Sequence, residues 1–145
     1  MYKHILIPTD GSELSRKAIR DGVDFAKSIN AQVTFLTALP PFKIFTSEPM
    51  MVTDTKETYM QDAEKMAEER FKEAKAYARA NGVTAVARHV YAEHPFEAII
   101  DAAKMGKCDM IFMASHGRKG IKGFMLGSET NKVLTHSKIP VQVCR

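Results

Sequence analysis

His4-Ile5-Leu6-Ile7-Pro8-Thr9-Asp10-Gly11-Ser12 decides how the rest of the chain is read. His4 to Ile7 is a short apolar run closed by Pro8, the pattern of a buried strand. Asp10-Gly11-Ser12 is turn chemistry. Beyond it Leu14, Ala18, Gly22, Phe25, Ala26 and Ile29 recur at helical spacing, and Asn30 marks the exit. The opening unit is therefore strand, polar turn, helix.

Outward from this unit the alternation continues. Val33 to Ala38 is a second strand, ended by Pro40-Pro41. Residues 39 to about 55 hold three prolines and no clear period, which predicts a long surface loop. From there to Ala80 runs the strongest helix signal, with Ala63, Met66, Ala67, Phe71, Ala74 and Ala78 on one face and Asn81-Gly82 as the stop. Val83 to Tyr91 reads as a third strand. Pro95 opens a helix carrying Phe96, Ala98, Ile99, Ala102 and Ala103. Met110 to Met113 is a fourth strand, Ser128 to Thr135 a helix, and Val141 to Cys144 a last strand.

Such alternation predicts an α/β fold with a mostly parallel sheet, since each parallel crossover needs a helix to bring the chain back. Five strands with helices on both faces make a doubly wound single domain over residues 1–145. In such sheets ligands bind beyond the carboxyl ends of the strands, where the strand order reverses. Two loops stand at such ends: Thr9 to Ser12, and the segment from Ala114 onward.

Composition narrows the function classes. The chain is 45% hydrophobic and 26% charged, normal for a globular protein. A net charge of +4 suits an anionic ligand, but Lys and Arg are spread among Glu and Asp along helices rather than clustered with aromatics, so no nucleic-acid partner is expected. The two cysteines, Cys108 and Cys144, form no disulfide framework and read as free thiols in a reducing compartment. Met1 leads straight into an apolar strand, and no apolar run reaches the length of a membrane span. The expected location is the cytoplasm, with no membrane partner.

The most informative loop runs Met113-Ala114-Ser115-His116-Gly117-Arg118-Lys119-Gly120-Ile121-Lys122-Gly123-Phe124-Met125-Leu126-Gly127-Ser128. It follows a buried strand and ends where a helix begins. Glycines allow close backbone approach, and free N–H groups at a helix start, with the helix dipole, favour an anion. The Ser128 hydroxyl can cap that helix or contact phosphate, and Arg118, Lys119 and Lys122 add positive charge. On spacing alone, a plain strand-to-helix loop with turn glycines stays open beside a phosphate site. The loop is neither a P-loop, lacking Gly-Lys-Ser/Thr, nor a dinucleotide fingerprint.

Taken together, Pro8-Thr9-Asp10-Gly11-Ser12, the spacing of Gly117 and Gly127 with Ser128, and Lys138-Ile139-Pro140-Val141-Gln142-Val143 closely resemble the universal stress protein family over the whole chain. The second and third glycines of that family's nucleotide pattern, G-x2-G-x9-G-(S/T), fall at Gly117 and Gly127; Ala114 replaces the first. The resemblance implies a sheet of order 3-2-1-4-5 and ATP in the crevice; apart from the resemblance, Mg²⁺ is expected only as an ion carried in by the phosphates, with no carboxylate pair dedicated to it. Position by position it implies Asp10 at the ribose or adenine, and Thr9 and Ala38 along the adenine. Met113, Ala114 and Gly117 would border ribose and phosphates, with Arg118 beside them. Gly127, Ser128, Glu129 and Thr130 would present donors from the helix start. Two positions bear on this: a methyl at Ala114 could crowd the ligand, and a Glu129 carboxylate beside phosphates would repel them unless it points away. The family also implies a homodimer through the last strand, Val141 to Cys144, whose bare edge invites pairing.

Other constellations are weaker. The histidines at 4, 89, 94, 116 and 136 have no zinc spacing, and no metal site is expected. No Ser-His-Asp order or Gly-x-Ser-x-Gly elbow is present, and no catalytic residue is assigned. His116 reads as a loop residue facing solvent more readily than as a participant in phosphate chemistry. The methionines at 50, 51 and 60 read as loop and helix packing. The sequence thus points to a nucleotide-binding, stress-response regulator with slow or absent ATP hydrolysis. A ligand-free dimeric interaction protein of the same family and a weak ATP hydrolase are the alternatives.

Overall fold

The computed structural model describes residues 1–43, 49–117 and 126–145, with the backbone alone over 49–54. The elements run β1 (His4–Pro8), α1 (Glu13–Ile29), β2 (Gln32–Leu39), α2 (Pro49–Ala80), β3 (Ala85–Tyr91), α3 (Pro95–Met105), β4 (Met110–Ala114), α4 (Ser128–His136) and β5 (Val141–Cys144). All strand pairs are parallel, and the order is β3-β2-β1-β4-β5, which is the doubly wound α/β sheet expected.

One boundary differs substantially. The segment expected to be loop up to about residue 55 becomes helical at Pro49, so α2 begins about six residues early. Proline lacks the N–H that a first helical residue leaves unpaired, and its φ is already helical, so it can start a helix as well as interrupt one. On the expected apolar face of α2, Ala63, Ala67, Phe71, Ala74 and Ala78 are buried, whereas Met66 stays 38% exposed at its margin.

Residues of each strand alternate between two cores. Ile5, Ile7, Val33, Phe35, Leu39, Met110 and Phe112 pack under α1 and α2. Leu6, Leu36, Ile111 and Met113 pack with Ile99 and Ala103 of α3 and Val133 of α4. The central strands β1 and β4 are thus apolar on both faces, and their sequences show no polar alternation for that reason.

Helix α1 approaches the sheet closely at Gly22, where a Cβ would stand 2.6 Å from Ile7 Cδ1 and 3.2 Å from Phe112 Cδ1. A branched side chain there must displace Ile7 and Phe112 or push α1 off β1 and β4. Gly22→Leu is expected to destabilise the fold by about 1–3 kcal/mol, read as a lower urea midpoint; an unchanged midpoint would contradict this packing.

Candidate functional site

The site lies where β1 and β4 run side by side while their connections leave in opposite directions, toward α1 and β2 on one side and toward α4 and β5 on the other. The two loops that diverge there are built differently.

After β1 the chain is braced from within. The Thr9 N–H donates to Leu36 O at 2.8 Å, and its hydroxyl meets Ser15 Oγ at 3.1 Å and accepts the Gly11 N–H at 3.2 Å. The Thr9 side chain is therefore an internal strut, buried under the turn. Asp10 Oδ1 accepts the Ser12 N–H at 2.9 Å, and Gly11 takes a φ of 78°, the left-handed region that glycine occupies without steric cost. Ser12 then caps α1, its Oγ accepting the Ser15 N–H at 3.2 Å.

After β4 the chain makes a closed loop. Ala114 ends the strand opposite Cys144, and the Ser115 N–H donates to Cys144 O at 2.8 Å. The chain passes His116 and Gly117 and returns at Gly127, whose N–H donates to Ser115 O at 2.7 Å. Arg118, with Lys119, Gly120, Lys122 and Gly123, lies outside the described residues.

The two glycines are required for space, not for conformational freedom. Gly127 has φ −62° and ψ 155°, which any residue can adopt. A Cβ on it, however, would lie 2.9 Å from His116 Cα. A Cβ on Gly117 would run into Asp10 Oδ2, with Asp10 Cγ 3.3 Å away. Asp10 and Gly117 are thus in direct apposition, and the two loops meet there. At Ala114, by contrast, the methyl causes no backbone strain: it sits on strand backbone, and among described non-glycine residues only Asn30 and Lys107 have positive φ.

Helix α4 begins at Ser128 with Gly127 as N-cap and no side-chain cap. The first hydrogen bond of this helix runs from the Asn131 N–H to Gly127 O, at 2.9 Å. The N–H groups of Ser128, Glu129 and Thr130 precede it and project from the helix end, as the first amides of any helix do. Ser128 is therefore the first helical residue and not the cap. The Thr130 hydroxyl donates to Ala114 O at 2.9 Å, pinning α4 to the end of β4. The Glu129 carboxylate turns away from the loop: Oε2 accepts the Phe96 N–H at 2.9 Å, and Oε1 lies 3.5 Å from Lys132 Nζ. It supplies the cap that α3 lacks, since His94 at the N-cap position makes no side-chain bond, and the positive end of the α3 dipole favours it there. Of the expected donors, Glu129 and Thr130 can offer only their backbone N–H groups.

Met113 is a core residue whose side chain packs toward α3 and α4. Ala38 is half-buried, two residues beyond Leu36, which pairs with Pro8; strand alternation puts it on the same sheet face as Leu36. Thr37 is a site residue that the sequence reading does not single out. It is fully buried, and its hydroxyl donates to Thr9 O at 2.7 Å. A hydroxyl inside an apolar strand must find partners, so Thr37 between Leu36 and Ala38 carries a signal of its own.

Burial pushes the Cys108 thiol up to about 11, which keeps it protonated. Among the described residues no group of three or more His, Cys, Asp or Glu side chains lies together as metal ligands would. No helix among them is long and apolar enough to cross a membrane.

The sequence profile of the universal stress protein family matches residues 1–145. Universal stress protein MJ0531 of Methanocaldococcus jannaschii is 28% identical, over 100% of this chain and 83% of its own. The solved structure of hypothetical protein MJ0577 superposes with a TM-score of 0.83 at 28% identity, covering 99% of this chain and 95% of its own. A universal stress protein solved in complex with cAMP superposes with a TM-score of 0.70 at 25% identity, covering 99% and 97%.

Replacing Glu129 tests the bridge between α4 and α3. Glu129→Ala is expected to cost about 0.5–2 kcal/mol of stability, the scale of a lost helix cap, measured by chemical denaturation. An unchanged stability would mean that the Phe96 N–H is served equally well by water.

Proposed function

The chain belongs to the universal stress protein family, and from that premise we propose that it is a nucleotide-binding regulator of the stress response whose ligand is ATP. The observation that carries this reading is the α4 helix start, which has no side-chain cap and follows the loop that Gly117 holds against Asp10. An N-terminus of this kind attracts phosphate through its amides and its dipole. The solved relative in complex with cAMP supports an adenine nucleotide as the ligand class.

In this reading the N–H groups of Ser128, Glu129 and Thr130 take phosphate oxygens, with Gly127 letting the helix start close against His116 and Arg118 adding charge from the loop. Asp10 takes the ribose, Gly117 and the end of β4 at Met113 and Ala114 border it, and Thr9 and Ala38 lie along the base. Mg²⁺ arrives with the phosphates. Hydrolysis is slow or absent in this reading: amides that position phosphates are present, whereas Glu129 is turned to the Phe96 N–H and Asp10 Oδ1 accepts the Ser12 N–H.

The regulator works in the cytoplasm as a homodimer. Strand β5 lies at one edge of the sheet, and a second copy of Val141–Cys144 would cover its unpaired backbone groups.

Calorimetry of the purified chain with ATP, ADP, AMP and cyclic AMP tests the reading. ATP is expected to bind without steady phosphate release. Asp10→Ala and Gly127→Val are each expected to weaken binding by at least about tenfold, the first by losing a charge-assisted contact and the second by forcing the helix start away from His116. A wild-type chain that binds none of the four nucleotides would overturn the reading in favour of a ligand-free interaction protein. Steady phosphate release would favour the hydrolase.

A further inference from the structure

The turn that carries Asp10 is tied to the middle of α2 by two hydrogen bonds that meet on one hydroxyl. Thr37 Oγ1 donates to Thr9 O at 2.7 Å, and Arg70 Nη1 donates to Thr37 Oγ1 at 2.8 Å. A hydroxyl has one proton and two lone pairs, whereas a guanidinium can only donate. Arg70 therefore obliges Thr37 to accept from it, and the Thr37 proton is left for the Thr9 carbonyl. The Thr9 carbonyl can only accept, so the two bonds are satisfied together, and Arg70 fixes the position of the hydroxyl that makes them. Thr37 is 0% exposed, so water does not compete for either bond.

The direction of the Thr9 carbonyl matters because of the peptide that follows it. Peptide bonds in the described chain are trans, and a planar trans peptide points its N–H opposite to its C=O. The Thr9 carbonyl faces Thr37 on β2. The Asp10 N–H is therefore directed away from Thr37, and the Asp10 carboxylate abuts Gly117. The orientation of the Thr9–Asp10 peptide sets where Asp10 stands in the crevice.

We propose that Arg70 is a positioning residue for the nucleotide site, acting through the Thr37 hydroxyl to hold the Thr9–Asp10 peptide in its binding orientation. This rests on the nucleotide-binding reading given above. Arg70 also donates to Met66 Sδ on its own helix, at 3.6 Å; the effect proposed here is the one that passes through Thr37. That dependence separates it from a residue that merely stabilises α2, and from one that attracts phosphate by its charge.

The test is a double-mutant cycle on ATP affinity, measured by calorimetry. Thr37→Val removes the hydroxyl at constant shape and is expected to weaken binding about five- to tenfold, the scale of one lost oriented hydrogen bond. Thr37→Ser is expected to restore affinity to within about twofold of the wild type. Arg70→Met is expected to weaken binding about three- to tenfold in the wild type and to have no further effect in the Thr37→Val background. The Asp10 amide resonance of the nucleotide-free protein should move in both single variants, a readout that helix stability does not reach; urea midpoints identify any variant that fails to fold.

Three outcomes overturn the proposal, and they are distinguishable. A wild type that binds no nucleotide removes the functional reading and this inference together. A wild type that binds, with Thr37→Val binding equally well, removes the inference alone. Arg70→Met weakening binding as much in the Thr37→Val background as beside the native threonine would mean that Arg70 acts by charge and not through the hydroxyl.

Discussion

Asp10 and Gly117 come from loops on adjacent strands whose chains run off in opposite directions, and they meet because no side chain stands between them. A methyl at Gly117 would collide with the Asp10 carboxylate, so the absence of a Cβ sets the spacing of the two loops. The meeting of the two loops depends on this contact. The α4 helix start is placed beside it by separate bonds, from the Gly127 N–H to Ser115 O and from the Thr130 hydroxyl to Ala114 O. The parallel pairing of β1 with β4 brings the loops to the same end of the sheet, and glycine lets them touch.

Around that contact, side chains that could interfere with an anion are employed elsewhere. Glu129 would repel phosphate if it faced the loop; instead it accepts the Phe96 N–H and caps α3. The Thr130 hydroxyl is committed to Ala114 O, and the Thr9 hydroxyl to Ser15 and Gly11. What projects from the start of α4 is backbone N–H, a donor set whose position is fixed by the helix and which needs no side chain to be ordered before it can act. The same economy ties the elements together, since each of these side chains bonds a backbone group of another segment or the far side of its own turn. Stability and site geometry therefore draw on the same hydrogen bonds.

The departure from the family pattern at Ala114 fits this picture. A glycine is indispensable where a Cβ has no room, as at Gly117 and Gly127, or where φ is positive, as at Gly11. Ala114 meets neither condition on the protein's side: it is the last residue of β4, in register with Cys144, on ordinary strand backbone. Belonging to the universal stress protein family is thus compatible with alanine at that position, and the pattern's three small residues serve two different purposes.

Much of this is legible in the sequence because local physics carries it. Apolar runs closed by proline, helical periodicity and turn residues specify the nine elements and their order, since each signal acts within a few residues. The N-terminus of α2 escapes such a reading because Pro49 has two local meanings, a helix breaker and a helix starter, and only the packed chain selects one. The opposing Asp10 and Gly117, the turning of Glu129 toward α3, and the Arg70–Thr37–Thr9 chain join residues from separate elements. Their geometry depends on how helices settle on the sheet, which no local preference encodes. Sequence alone determined a doubly wound sheet and marked the glycine-flanked start of its fourth helix as a candidate anion site. Tertiary structure decided which way each side chain at that start points, because the partner that holds each one lies on a different element.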